Sequence, residues 1–185
     1  MKPVLLDVPE EVQTDRLILR APRFGDGIVV NEAILESFDA LRQWLSWAVT
    51  IPSVEETEEN VRRNRSKFLL REDFMFYLIL RETGAYLGTC TLKAVRWEFR
   101  LFEIGYWLRT SALGKGYMTE AVEGLTKFAE QYLAANRIEI LCEDTNMASR
   151  RVAERCGYQL EGVLRQHYIN PQGEIRNDCM YARIF

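Results

Sequence analysis

Histidine is almost absent from this chain, with one in 185 residues, and proline is sparse at five. The four cysteines, Cys90, Cys142, Cys156 and Cys179, form no CxxC pair and no ligand spacing with the lone histidine, so no metal is expected. Three of them fall in apolar, strand-like runs and one at a helix end. The expectation is buried, reduced thiols in a cytoplasmic protein. No run approaches the roughly 18 apolar residues of a membrane span. The opening MKPVLLDVPEEVQTDR turns acidic and carries no signal-peptide pattern. Basic excess is also missing: 24 Lys and Arg face 27 Asp and Glu, a net charge of −3. That balance, with no basic–aromatic patch, speaks against a nucleic-acid partner. The local run RRNRSK (62–67) sits beside EETEEN (55–60) and reads as a charge-balanced helix face. Repeats, low-complexity tracts and Pro/Gly/Ser linkers are lacking too, which leaves one domain over residues 1–185.

Apolar residues make up 48% of the chain and charged residues 28%, a globular composition. RLILRA (16–21) alternates as a strand. Residues 25–46 read as helix, with a break near Ser37. Ser53 and Glu56 form a capping box that opens a charged helix to about Arg71. FMFYLILRE (74–82) and YLGTCTLKAV (86–95) flank Thr83-Gly84 as a hairpin, and LFEIGYWLR (101–109) adds a third strand. Met118, Ala121, Val122, Leu125, Phe128, Ala129, Tyr132 and Leu133 repeat at helical spacing over about 117–135. RIEILCED (137–144) is a buried strand, and Asn146 to Cys156 a short helix capped by Gly157. YQLEGVLRQHYI (158–169) and EIRNDCMYARIF (174–185) flank Asn170-Pro-Gln-Gly173 as a closing hairpin. The sum is a mixed α/β (α+β) chain with a largely antiparallel sheet of about seven strands.

SALGKGYMTEAV (111–122) places two glycines between a strand and an amphipathic helix. A helix start exposes unpaired N–H groups and a positive dipole end, a ready anion site. Glycines allow close backbone approach. The dinucleotide pattern GxGxxG fails at Thr119, and GxxxxGK[ST] is absent. Taken alone, the pair reads as a phosphate cradle or as an ordinary tight turn.

Three longer stretches extend the pattern: EIGYWLRTSALGKGYMTEAV (103–122), NMASRRVAERCGYQLEGVLR (146–165) and MYARIF (180–185). Together they resemble the GNAT superfamily of acyl-CoA N-acyltransferases, and within it the RimJ/RimL-type branch that acetylates protein N-termini, notably of ribosomal proteins. LRQWLSWAVTIPSVEET (41–57) extends the resemblance over most of the chain. The family's Q/R-x-x-G-x-G/A pattern here reads Ser111 to Gly116, with serine in place of Gln or Arg. The resemblance implies a GNAT fold, a central sheet splayed in its middle and flanked by helices. It implies acetyl-CoA as cosubstrate, its pyrophosphate held by the backbone of Leu113, Gly114, Lys115, Gly116, Tyr117, Met118 and Thr119. It implies pantetheine along Trp107, Leu108 and Arg109, with Asn146 contacting that arm. Asn146 equally suits a helix cap, and Trp107 equally suits a core position.

The implied reaction is direct attack of an amine on the thioester, with thiolate leaving. A base must take a proton from the amine. Glu103, at the head of the central strand, is one candidate. His167, in a position where the RimL-like pattern can hold a glutamate, is the other, since imidazole is a common general base. The resemblance also gives Ser149 as a proton donor near the sulfur. Strand alternation sends Tyr168 to the face opposite His167. Trp44 and Trp47, three apart, either wall the acceptor site together with Glu103 and His167 or pack a helix. At pH 7 an N-terminal α-amine is far richer in its neutral form than lysine, which favours a protein N-terminus such as that of a ribosomal protein. A small amine (polyamine, amino acid or antibiotic) and a non-catalytic acyl-CoA sensor remain the alternatives. The branch also implies a homodimer.

Overall fold

The architecture follows from two hydrophobic faces on one sheet. The structure, a computed structural model, describes residues 2–170 and 172–185; Met1 and Pro171, the latter in the expected Asn170–Gly173 turn, lie outside them. The strands are β1 (Glu11–Gln13), β2 (Leu17–Arg20), β3 (Asp73–Leu80), β4 (Tyr86–Arg96), β5 (Leu101–Leu108), β6 (Arg137–Glu143), β7 (Gln159–Ile169) and β8 (Ile175–Ile184). The helices are α1 (Gly27–Leu41), α2 (Val54–Leu70), α3 (Tyr117–Leu133) and α4 (Met147–Arg155). The eight strands form one sheet in the order β1-β2-β3-β4-β5-β6-β8-β7. Among the described pairings only β5–β6 is parallel.

Alternation along the strands sends successive side chains to opposite faces. Phe74, Phe76, Phe102, Ile104, Ile138 and Ile140 pack in the cluster that holds Leu125 and Phe128 of α3. Tyr77 and Tyr86 face the other way, onto Val30, Ala33 and Ile34 of α1 and Val61 of α2. Ser53 caps α2 with both halves of the capping box formed, and Arg62–Glu58 and Arg63–Glu59 are i,i+4 ion pairs. All four cysteines are buried and free, three on β4, β6 and β8 and Cys156 at the end of α4. No helix of the described residues is long and apolar enough to cross a membrane.

Two expectations are corrected. The sheet has eight strands rather than seven, because Glu11–Gln13 pairs with β2. That short polar segment carries no alternation signal of its own. The first helix runs unbroken through Ser37 and ends at Leu41. Ser37 is 1% exposed, and its hydroxyl accepts the Thr110 N–H at 2.9 Å, so its polarity serves a tertiary contact rather than a break. Trp44 and Trp47 therefore lie in the turns after α1.

Candidate active site

The β5–β6 pairing is brief: Leu101 with Arg137, Phe102 with Ile138, and Glu103 with Glu139. Beyond Glu103 the strands part, while β5 stays paired to β4 as far as Leu108. The β6-facing edge of Ile104–Leu108 is thus open backbone, able to take an extended ligand as a missing strand. Gly88 makes the floor possible. Its φ is +150°, and a Cβ there would sit 2.2 Å from the Trp107 carbonyl oxygen.

At the end of β5 a short turn leads to the glycines. Gly114 and Gly116 have φ of +74° and +78°, conformations that glycine adopts without a Cβ penalty. Gly116 is the N-cap of α3 and offers no side chain to its first turn. The first intrahelical bond runs from Glu120 N–H to Gly116 O at 3.1 Å, leaving the N–H groups of Tyr117, Met118 and Thr119 for a ligand. A Cβ on Gly114 would meet nothing within 4 Å, so the approach is open. This loop fits a pyrophosphate. The Lys115 ammonium rests on Ser111 O at 3.0 Å, beside the mouth.

Arg16 holds the cradle from behind, a contact that no local sequence pattern announces. It donates to Lys115 O at 2.9 Å and to Glu120 Oε2 at 2.7 Å, and lies 4.6 Å from the Tyr117 ring centroid. Burial opposes the Glu120 charge, but the Thr14 hydroxyl and Arg16 outweigh it and hold the carboxyl below its usual range. The Arg109 side chain turns to Glu36 of α1 and donates to Tyr86 O at 3.1 Å. Glu36 is thereby lowered to about 2, chiefly by the Arg109 hydrogen bond.

Ser149 lies between the parted strands. The Tyr106 hydroxyl, from β5, lies 2.9 Å from Ser149 Oγ and donates to Ser149 O at 3.1 Å. Burial pushes the Tyr106 phenol well up, so it stays protonated. Burial also raises the Cys142 thiol of β6 to about 11, with the Ser149 hydroxyl pulling the other way. Asn146 caps α4: its Oδ1 accepts the Ser149 N–H at 3.1 Å.

On the face of α1 and α2, a cleft of about 670 Å³ is lined by Trp44, Trp47, Gly105, Tyr106 and Trp107. Trp47 and Trp107 have ring centroids 6.2 Å apart, and Trp107 packs on Tyr86. Both tryptophans of the 44–47 pair thus wall a cleft. Glu103 is held by Lys93 at 2.9 Å, and Lys93 itself lines the cleft.

His167 and Tyr168 depart from simple alternation. The register of β7 shifts between Leu164 and Tyr168, with Gln166 at φ +52°, so residues 165–167 bulge opposite Asn177. His167 Nδ1 then lies 2.8 Å from Asp178 Oδ2, while Tyr168 donates to Glu143 Oε2 at 2.7 Å. Glu143 and Asp178 are direct cross-strand partners, so the bulge brings both side chains to neighbouring carboxylates. The expectation of opposite faces is corrected. His167 and Glu103 stand on different strands, and the structure pairs them with different partners, Asp178 and Lys93.

Residues 16–159 match the family of acetyltransferase (GNAT) domains. The chain belongs to the GNAT acetyltransferases. This acetyltransferase is 30% identical over 145 residues to the ribosomal-protein-serine acetyltransferase of Escherichia coli (strain K12), a match covering 78% of this chain and 79% of that one. Its fold matches RimL, the ribosomal L7/L12 alpha-N-protein acetyltransferase in complex with coenzyme A, with a TM-score of 0.89 at 27% identity over 95% of this chain and 98% of that chain. A Salmonella typhimurium acetyltransferase that modifies the N-terminal serine of ribosomal protein L7/L12 matches at TM-score 0.83 and 28% identity, covering 95% of this chain and 99% of that one. These likenesses put the acetyltransferase in the RimJ/RimL-like branch. The contacts of Tyr106 with Ser149, Arg16 with the Lys115 carbonyl and Glu143 with Tyr168 join parts of the chain that no single sequence motif links. Tyr106 alone leaves a signal, a hydroxyl in the apolar phase of EIGYWL.

Proposed function

We propose that this N-acetyltransferase takes acetyl-CoA as acyl donor and the α-amine of a protein N-terminus, of the ribosomal-protein kind, as acceptor. Residues 1–185 act as one such domain, in the cytoplasm, as the free buried cysteines suggest, and as a homodimer, as the branch resemblance implies. The observation that carries the reading is the continuity of the open β5 edge with the Gly114–Gly116 cradle at one end and the tryptophan-walled cleft on one face. The relatives named for a ribosomal-protein acceptor, at 30% and 27% identity, support the N-terminal amine.

When bound, acetyl-CoA supplies the activated thioester and a thiolate leaving group of low basicity. The chain's own groups do the rest. The N–H groups from Gly114 to Thr119 hold the pyrophosphate, with Lys115 adding charge; the Leu113 N–H, expected among them, donates instead to Thr110 O at 3.2 Å. The open β5 edge lines the arm at Leu108, whose neighbours Trp107 and Arg109 turn their backbone to β4, the Arg109 N–H to Leu87 O at 2.8 Å, and Asn146 keeps the α4 start in place beside it. Ser149, backed by the protonated Tyr106, donates a hydrogen bond or proton on the sulfur side. Glu103, once exchanged from Lys93, or His167, oriented by Asp178, draws the proton from the amine. Positioning of this sort supplies much of the rate.

The test is release of coenzyme A thiol from acetyl-CoA with peptides beginning in Ser, Ala or Met, beside spermidine and lysine. Turnover confined to the peptides supports the N-terminal reading. Turnover confined to spermidine or lysine replaces it with a small-amine enzyme, and tight acetyl-CoA binding without turnover on any amine replaces it with a sensor.

A further inference from the structure

A second cavity, of about 630 Å³, lies on the other side of Trp44, between the end of α1 and the β7–β8 hairpin. Trp44 lines both spaces, so they adjoin at its ring, and Glu143 at the end of β6 lines the second. The β5–β6 register places Glu139 beside Glu103. Alternation then puts Glu143, four residues on, on the face that carries Glu103 and Trp107. Its side chain is 4% exposed and lines this cavity.

Glu143 is held but not saturated. Thr145 donates to Oε1 at 2.6 Å and Tyr168 to Oε2 at 2.7 Å, while Arg176 lies 3.6 Å from Oε1. A carboxylate offers about four acceptor sites, so acceptor capacity remains on a fixed, nearly buried group. In the same wall, Arg176 has a buried Nε–H with no hydrogen-bond partner among the described residues, although its outer nitrogen pairs with Glu174. Orphaned buried donors are rare and call for a partner. By contrast, Glu103 is already neutralised by Lys93.

We propose that Glu143 and Arg176 form the acceptor's docking pair, Glu143 accepting N–H bonds from the incoming α-amino group and Arg176 Nε–H donating to the carbonyl oxygen of the same residue. An amine and a carbonyl two bonds apart characterise a peptide N-terminus; a polyamine has no such carbonyl. Among the described residues the other charged groups facing this pair are Asp39 of α1, Arg42 just after it, Glu174 before β8 and Asp178 on β8. The inference rests on the N-terminal acceptor reading and assigns its recognition to named atoms.

The test compares wild type, Glu143→Gln and Arg176→Lys with a Ser-initiated peptide and with spermidine, and measures acetyl-CoA affinity by calorimetry. Glu143→Gln should raise KM for the peptide about tenfold to a hundredfold, as expected for a lost charge-assisted contact, with acetyl-CoA affinity unchanged. Arg176→Lys, at a side chain 35% exposed and so tolerant of change, should lower kcat/KM for the peptide about tenfold and leave any spermidine turnover alone. Unchanged peptide KM in both variants, with wild type active, overturns the docking pair. If Glu143→Gln loses acetyl-CoA binding as well, Arg176→Lys decides: equal loss on peptide and spermidine overturns the carbonyl contact. A wild type silent toward every peptide overturns the proposed function itself.

Discussion

One ion pair governs how the turn into the cradle tolerates acid. Glu36 of α1 receives Arg109 and also accepts the Ser111 N–H at 2.9 Å, so it ties the helix to the residues just before the glycines. Its carboxyl is lowered from 4.5 to about 2. A depressed carboxyl pKa contributes stability above the unfolded value that is lost as pH falls through the folded value. Glu36→Gln should therefore lower the urea midpoint at pH 7, and the gap to wild type should shrink as pH falls from 4.5 toward 2. A gap that stays constant through pH 3 would show that the loss does not come from the Glu36 charge. Gly88 is a second single-residue lever. Alanine there would press its Cβ into the Trp107 carbonyl, at a cost of about 1–3 kcal/mol, lowering the melting temperature by several degrees.

At the scale of elements, the start of α3 depends on a residue about a hundred positions earlier in the chain. Arg16 fixes the Lys115 carbonyl and Glu120, and so sets the orientation of the free N–H groups above them. Arg16→Ala should weaken coenzyme A binding about fivefold to thirtyfold by calorimetry while kcat at saturation stays near wild type. Equal affinity would show that the glycines hold their shape unaided. The elements differ in how far the sequence announces them. The α3 stripe, the Ser53–Glu56 box and the Thr83-Gly84 hairpin are local patterns, and each stands where the sequence puts it. β1 has three exposed or half-exposed residues and pairs only because β2 is beside it. The bulge at 165–167 depends on Asn177, whose Oδ1 accepts the Gln166 N–H at 2.9 Å from the neighbouring strand, and no periodicity in β7 reports it. The site divides in the same way. The glycine loop is written in one stretch, whereas Tyr106–Ser149 and Tyr168–Glu143 join residues 43 and 25 apart in sequence.

For the whole molecule, the sheet is continuous yet nearly divided. Three residue pairs join β5 to β6, against eight between β4 and β5. Filling the gap with acetyl-CoA should protect the β5 amides that point away from β4, a slowing of hydrogen exchange confined to Ile104–Leu108 and its neighbours. Ligand at a hundredfold excess over Kd should add about 2.7 kcal/mol to stability and raise the melting temperature by about 5–10 °C. Exchange unchanged along β5 would mean that the open edge is not where the ligand lies.

That near-division falls at a single point in the chain. β1 to β5 all precede residue 109, and β6 to β8 all follow residue 136. Each side of the gap is thus one uninterrupted length of polypeptide, with α3 as the bridge between them. A ligand lying in the gap touches both lengths and so works as a clasp. Severed after α3, the two pieces should find each other more tightly when that clasp is present, which would turn occupancy of the site into an assembly signal.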